Sequence, residues 1–177
     1  MNEVSEEKDI LILGLGNDCL GDDAVGPLVV RQLRHRMEEN GSDIDLVEAG
    51  AGGMILMDLM AGYKGLILID AIQTGSGEPG RIYRLTEDQL PVASPEHPAP
   101  PWSAHHLGLR QILETGRQAG CELPRTVIVY AVETAPPREW HRGCSPAVER
   151  AIEEIVSRVI REIPVVRADV SQRRGSP

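Results

Sequence analysis

Phenylalanine is absent from this 177-residue chain and aromatic residues make up only 3%, so the core has to be packed by leucine, isoleucine, valine and methionine. Cysteine is scarce too. Cys19, Cys121 and Cys144 are odd in number, far apart and without a C-x-x-C spacing, which argues against a disulfide framework and against a zinc knuckle. They are expected to be small, buried or partly buried apolar residues. No apolar run approaches the roughly 20 residues that cross a bilayer, and the start "MNEVSEEKD" lacks the basic region of a signal peptide. A cytoplasmic protein with no membrane partner is expected. Lysine and arginine number 18 against 27 acidic residues, a formal net charge of −9 that has the wrong sign for a nucleic-acid binder. A basic partner segment is easier to accommodate.

What the chain does have is alternation. Short runs rich in β-branched residues and leucine, "DILILGLG", "DIDLVEA", "KGLILID", "GRIYRL" and "RTVIVYAVE", are separated by segments of helical period at Pro27 to Met37, Met54 to Ala61 and His106 to Gln118. The first, third and fifth runs are almost continuously apolar, as strands covered on both faces must be. A last helix opens at "SPAVERAIEEIVSRVI", with Ser145 as N-cap and Pro146 in the first helical position. The pattern predicts an α/β fold, a three-layer α/β/α sandwich with a mostly parallel five-stranded sheet. One strand is antiparallel: "QTGSGEPG" leaves no room for a crossover helix, so Arg81 to Leu85 is expected to pair antiparallel beside its predecessor. A single domain over residues 1–163 is expected, and the tail at 164–177 is expected to fray. The proline-rich Pro91 to Trp102 is longer than most loops of a compact domain, and such loops are often functional.

The opening stretch "ILILGLGNDCLGDDAVGP" begins like a nucleotide-binding strand and loop. The third glycine of a G-x-G-x-x-G fingerprint is displaced, however, and Asp22 and Asp23 stand where a pyrophosphate would bind and would repel it. One of the two suits a helix cap. In an open parallel sheet, ligands gather at the carboxyl ends of the strands. There the first strand meets the Gly14 to Asp23 loop, the third run ends in Asp70 and the fifth in Glu133, the last read as a solvated strand-end residue. His105 and His106 open the helix after the long loop. Carboxylate, carboxylate and imidazole form a ligand set suited to a borderline divalent metal such as zinc, nickel, cobalt or manganese. Cys19 lies in the same loop, but a catalytic thiolate needs an activating partner that the sequence does not supply.

Three motifs in this order, "ILGLGNDCLGDDAVGP", "LILIDA" and "SAHHLGL", resemble those of the hydrogenase maturation endopeptidases, and the likeness runs from about Asp9 to about Ile160. The resemblance implies a protease that trims the C-terminal extension of the large-subunit precursor of a nickel–iron hydrogenase. It implies that Asp23, Asp70 and His105 bind a divalent metal, nickel already inserted in the client, with His106 as the alternative imidazole. Asp23 and Asp70 are also the candidates for activating water. Two other readings use the same residues: a non-catalytic metal-binding chaperone or sensor, and a general metallohydrolase of small substrates.

Overall fold

The computed structural model describes residues 9–37, 43–50, 55–91, 106–135 and 143–174. Five strands, β1 (Ile10–Leu15), β2 (Ile44–Ala49), β3 (Gly65–Ile72), β4 (Ile82–Thr86) and β5 (Thr126–Glu133), form one sheet in the order β2-β1-β3-β5-β4. Pairings β1–β2, β1–β3 and β3–β5 are parallel, and β4 runs antiparallel to β5. Four α-helices accompany them: α1 (Val25–Arg36), α2 (Ile55–Met60), α3 (His106–Gln118) and α4 (Pro146–Arg174).

The alternation of side chains along a strand sorts the core into two layers. Ile10 and Ile12 of β1 pack with Ile67 and Ile69 of β3, beneath α1 and α4. Leu11, Leu13 and Leu15 face the other way and pack with Leu66 and Leu68, beneath α2 and α3. The three-layer sandwich expected from the sequence is the fold, with β1, β3 and β5 buried on both faces.

Two expectations about its periphery change. Strand β4 lies at the sheet edge beside β5, in a register from Ile82 opposite Val132 to Thr86 opposite Ile128, and not beside β3. The physical reason is burial. The later strand β5 is nearly all apolar and takes the interior place, whereas "IYRLT" is only partly buried and suits an edge. Its Arg84 reaches Glu162 of α4 through two 2.8 Å bonds, and the Tyr130 hydroxyl donates a third, also 2.8 Å. This ion pair pins the edge to the helix layer.

The segment expected to fray from Pro164 instead continues α4 to Arg174. Val166 and Val170 are buried, and a Cβ at Gly65 would lie 2.7 Å from Val166, so the end of α4 is seated on the start of β3. The other end begins as the sequence predicts. Ser145 receives the Val148 N–H on its hydroxyl at 3.5 Å, with Pro146 as the first helical residue. Among the described residues, no helix is long and apolar enough to cross a membrane.

Candidate functional site

Because β1, β3 and β5 are parallel, their carboxyl ends share one edge of the sheet. The loop after β1 is held there by glycines. Gly16 has φ +141°, and a Cβ on it would come within 1.8 Å of the Asp23 carbonyl oxygen. Gly26, in the first turn of α1, would place a Cβ 2.2 Å from Leu15 O and 2.7 Å from Ile69 O. The helix therefore rests directly on the backbones of β1 and β3. This is close helix–strand packing of the kind glycines give a nucleotide-binding loop, but the residues carried are carboxylates.

Between those glycines a 3-10 turn, Gly21–Ala24, presents the aspartate pair. The two have separate tasks. Asp22 accepts the Ser145 N–H at 2.6 Å and the Ser145 hydroxyl at 3.0 Å, so it fastens the loop to the start of α4. Asp23 is half-buried and accepts the Asn17 N–H at 2.8 Å, which orients it within its own loop. Asn17 in turn receives the Cys19 N–H at 2.9 Å. From the flank, Arg31 of α1 bonds Asp18 at 2.6 Å and Glu48 of β2 at 2.8 Å, giving the loop a further anchor.

Asp70 lies in β3, next to the Ile69 carbonyl on which Gly26 rests, and its side chain is fully buried. The strand does not end there, as the apolar run suggested, but continues to Ile72. One Asp70 oxygen accepts the Ala71 N–H at 2.8 Å. Asp23 and Asp70 are thus brought to one edge by the packing of α1 against β1 and β3.

Glu133 departs from its expected role. It is buried, not solvated, and accepts the Thr74 N–H at 2.7 Å, the Thr74 hydroxyl at 2.9 Å and the Tyr83 hydroxyl at 3.4 Å. It fixes the connection from β3 to β4. His105 lies outside the described residues, as does most of the proline-rich loop; His106 is the first residue of α3. Among the described residues, no group of three His, Cys, Asp or Glu side chains is placed to hold a metal ion. Two carboxylates of the expected set, Asp23 and Asp70, lie at that edge, half-buried and fully buried respectively.

Cys19 and Cys121 are exposed, not buried or partly buried as expected, whereas Cys144 is half-buried in keeping with that expectation. The Cys144 thiol sits 3.5 Å from Gly21 O, and burial, with Asp22 nearby, pushes its pKa up to about 11. A thiol held protonated in this way is no nucleophile.

Comparison with known proteins agrees with this architecture. The family described as hydrogenase maturation protease matches residues 27–162, a match that opens on Pro27, the last residue of the first motif. The hydrogenase 2 maturation protease of Escherichia coli (strain K12) is 32% identical over 153 residues, covering 85% of this chain and 88% of that protein. A putative hydrogenase maturation protease of Methanocaldococcus jannaschii is 30% identical over 163 residues, covering 89% and 98%. The solved structure of the hydrogenase maturating endopeptidase HybD from E. coli superposes with a TM-score of 0.72 at 30% identity, covering 88% of this chain and 92% of that one. With the fold and the sequence in agreement, this chain belongs to the hydrogenase maturation proteases and is a peptidase.

Proposed function

We propose that this enzyme removes the C-terminal extension of a nickel-loaded nickel–iron hydrogenase large-subunit precursor, and that Asp23, Asp70 and His105 engage the nickel the client carries. The observation behind this reading is the pairing of a fully buried Asp70 with the Asp23 loop, both at the sheet edge where α/β folds receive ligands. In this reading nickel is part of the substrate. It certifies that the precursor has been loaded before the peptide bond is cut.

Two carboxylates of unequal exposure suit a division of labour. Asp23, half-buried on a loop, meets water more readily than fully buried Asp70 and serves as general base. It takes a proton from a water molecule as the water oxygen bonds to the scissile carbonyl carbon. The C–N bond then breaks, and that proton passes to the departing nitrogen. Asp70, with one oxygen fixed by the Ala71 N–H, orients the client's metal centre. The metal's own contribution would be to polarise a nearby carbonyl and make water more acidic. His106 replaces His105 in this scheme if the imidazole comes from the second of the doubled pair.

The test is the mass of a large-subunit precursor, nickel-loaded or nickel-free, after incubation with this protein. Loss of a C-terminal peptide from the loaded form alone is the expected result. Equal cleavage of both forms would remove nickel recognition from the scheme, and cleavage of neither, with metal binding intact, would favour the non-catalytic reading.

A further inference from the structure

The opposite, amino-terminal edge of the sheet holds a cavity of about 700 Å³, within the size range of small-molecule sites. Two turns build it, residues 62–64 before β3 and residues 120–125 before β5. They are tied by backbone bonds from Gly62 N–H to Glu122 O at 2.8 Å and from Arg125 N–H to Lys64 O at 3.0 Å. The end of α4 closes it with Val170 and Arg173.

Its charge distribution is directional in a chain of net charge −9. Lys64, Arg117, Arg125 and Arg173 line it, against a single acidic lining residue, Glu122. Three of these cations are ion-paired, and in every case the carboxylate lies outside the lining. Lys64 bonds Asp9 at 3.2 Å, Arg117 bonds Glu87 at 2.6 Å, and Arg173 bonds Asp169 at 3.0 Å. Each of these ion pairs ties a lining cation to a carboxylate that is not itself part of the lining. Arg125 is exposed and makes no ion pair among the described residues. The buried Nε–H of Arg117 has no acceptor among them either, although its two terminal nitrogens bind Glu87 and the Pro124 carbonyl. A buried donor of this kind is ordinarily met by a ligand or water.

We propose that this cavity is a binding site for a small oxyanion carrying several phosphate or carboxylate groups, distinct from the carboxyl-edge site. Guanidinium forks match the geometry of both groups, and Lys64 adds a point charge. The volume suits a compact ligand rather than a protein partner, which needs a surface of about 800 Å² per side. The proposal does not depend on the reading of the Asp23 and Asp70 edge.

Calorimetric titration of the full chain with pyrophosphate, and separately with citrate, tests it. Saturable binding of at least one is expected, with a dissociation constant at or below about 1 mM that weakens as salt is added. A preference for pyrophosphate identifies a phosphate ligand, and a preference for citrate a carboxylate ligand. The double variant R125Q/R173Q should bind at least about tenfold more weakly with its thermal midpoint retained, because two lining cations are lost. Glu122→Gln, at an exposed residue, should bind more tightly. No saturable binding of either anion, or binding that neither substitution changes, would overturn the proposal.

Discussion

Gly26 is where the fold and the candidate active site depend on the same atoms. An alanine there would place its Cβ 2.2 Å from Leu15 O, 2.6 Å from Leu15 N and 2.7 Å from Ile69 O, whereas real Cβ contacts essentially never fall below 3.0 Å. All three neighbours are backbone of central strands, so α1 itself has to move away. Overpacking of this kind costs about 1–3 kcal/mol, and contact with rigid backbone puts Gly26→Ala at the upper end. Alanine's better helix propensity offsets at most about 1 kcal/mol. The net expectation is a loss of about 2 kcal/mol, or a fall in Tm of roughly 4–8 °C for a chain of this size. Such a protein still folds, so its activity can be measured. Opening the contact from 2.2 to at least 3.0 Å moves the helix start, and Asp23 two residues before it, by about an ångström. A misplacement of that size can cost on the order of 100-fold in rate. Urea unfolding and kcat/KM for precursor processing are the assays, with Gly50→Ala as control because nothing lies within 4 Å of its Cβ position and its φ is not positive. Full stability and full activity in Gly26→Ala would refute the claim that close helix–strand contact positions the loop.

Asp23→Asn, Asp70→Asn and His105→Ala are each expected to abolish processing with the far-ultraviolet circular dichroism unchanged; a silent His105→Ala beside a damaging His106→Ala would move the imidazole one residue along. Because a buried carboxylate is costly to desolvate, Asp70→Asn should lower the urea-derived stability by no more than about 1 kcal/mol. Glu133→Gln should lower it by about 1–3 kcal/mol, since the buried carboxylate accepts from Thr74 and Tyr83 and an amide cannot satisfy all of those donors. The Arg84 fork holds the Glu162 carboxyl below its ordinary range, helped by the Tyr130 hydroxyl and opposed by burial. The stability this contributes is fully present above the unfolded pKa of about 4.3 and is lost as pH falls through the lower folded value. Urea midpoints of the wild type should therefore drop more steeply below about pH 4 than those of Glu162→Gln, and parallel curves would argue against the coupling.

Layers, strand directions and most helix limits were legible because they depend on local patterns. The continuous apolar runs of β1, β3 and β5 marked the sheet interior, and the Ser145-Pro146 pair marked the start of α4. What was illegible depends on partners distant in sequence. Nothing in "GRIYRL" announces that β5, more than 40 residues later, will take the place beside β3. Residues beyond Pro164 were expected to fray because a proline and a polar end suggest it, but the seat for Val166 and Val170 is Gly65, about 100 residues earlier. In the site, the adjacent aspartates were visible as a pair, yet their separate tasks rest on Ser145, which is 123 residues from Asp22.

The carboxylates at the strand ends show why burial alone does not identify a functional group. Glu133 and Asp70 are both buried on neighbouring parallel strands, and either would be expensive as an isolated charge. Glu133 is bonded by a backbone N–H and two hydroxyls from the β3–β4 connection and from β4, so its charge is spent on joining elements of the fold. Asp22 is committed in the same way, to α4. Asp23 and Asp70 accept from backbone N–H groups of their own segments, Asn17 and Ala71. Burial therefore does not separate Asp70 from Glu133; the loss of processing expected of Asp70→Asn, set against the loss of stability expected of Glu133→Gln, does.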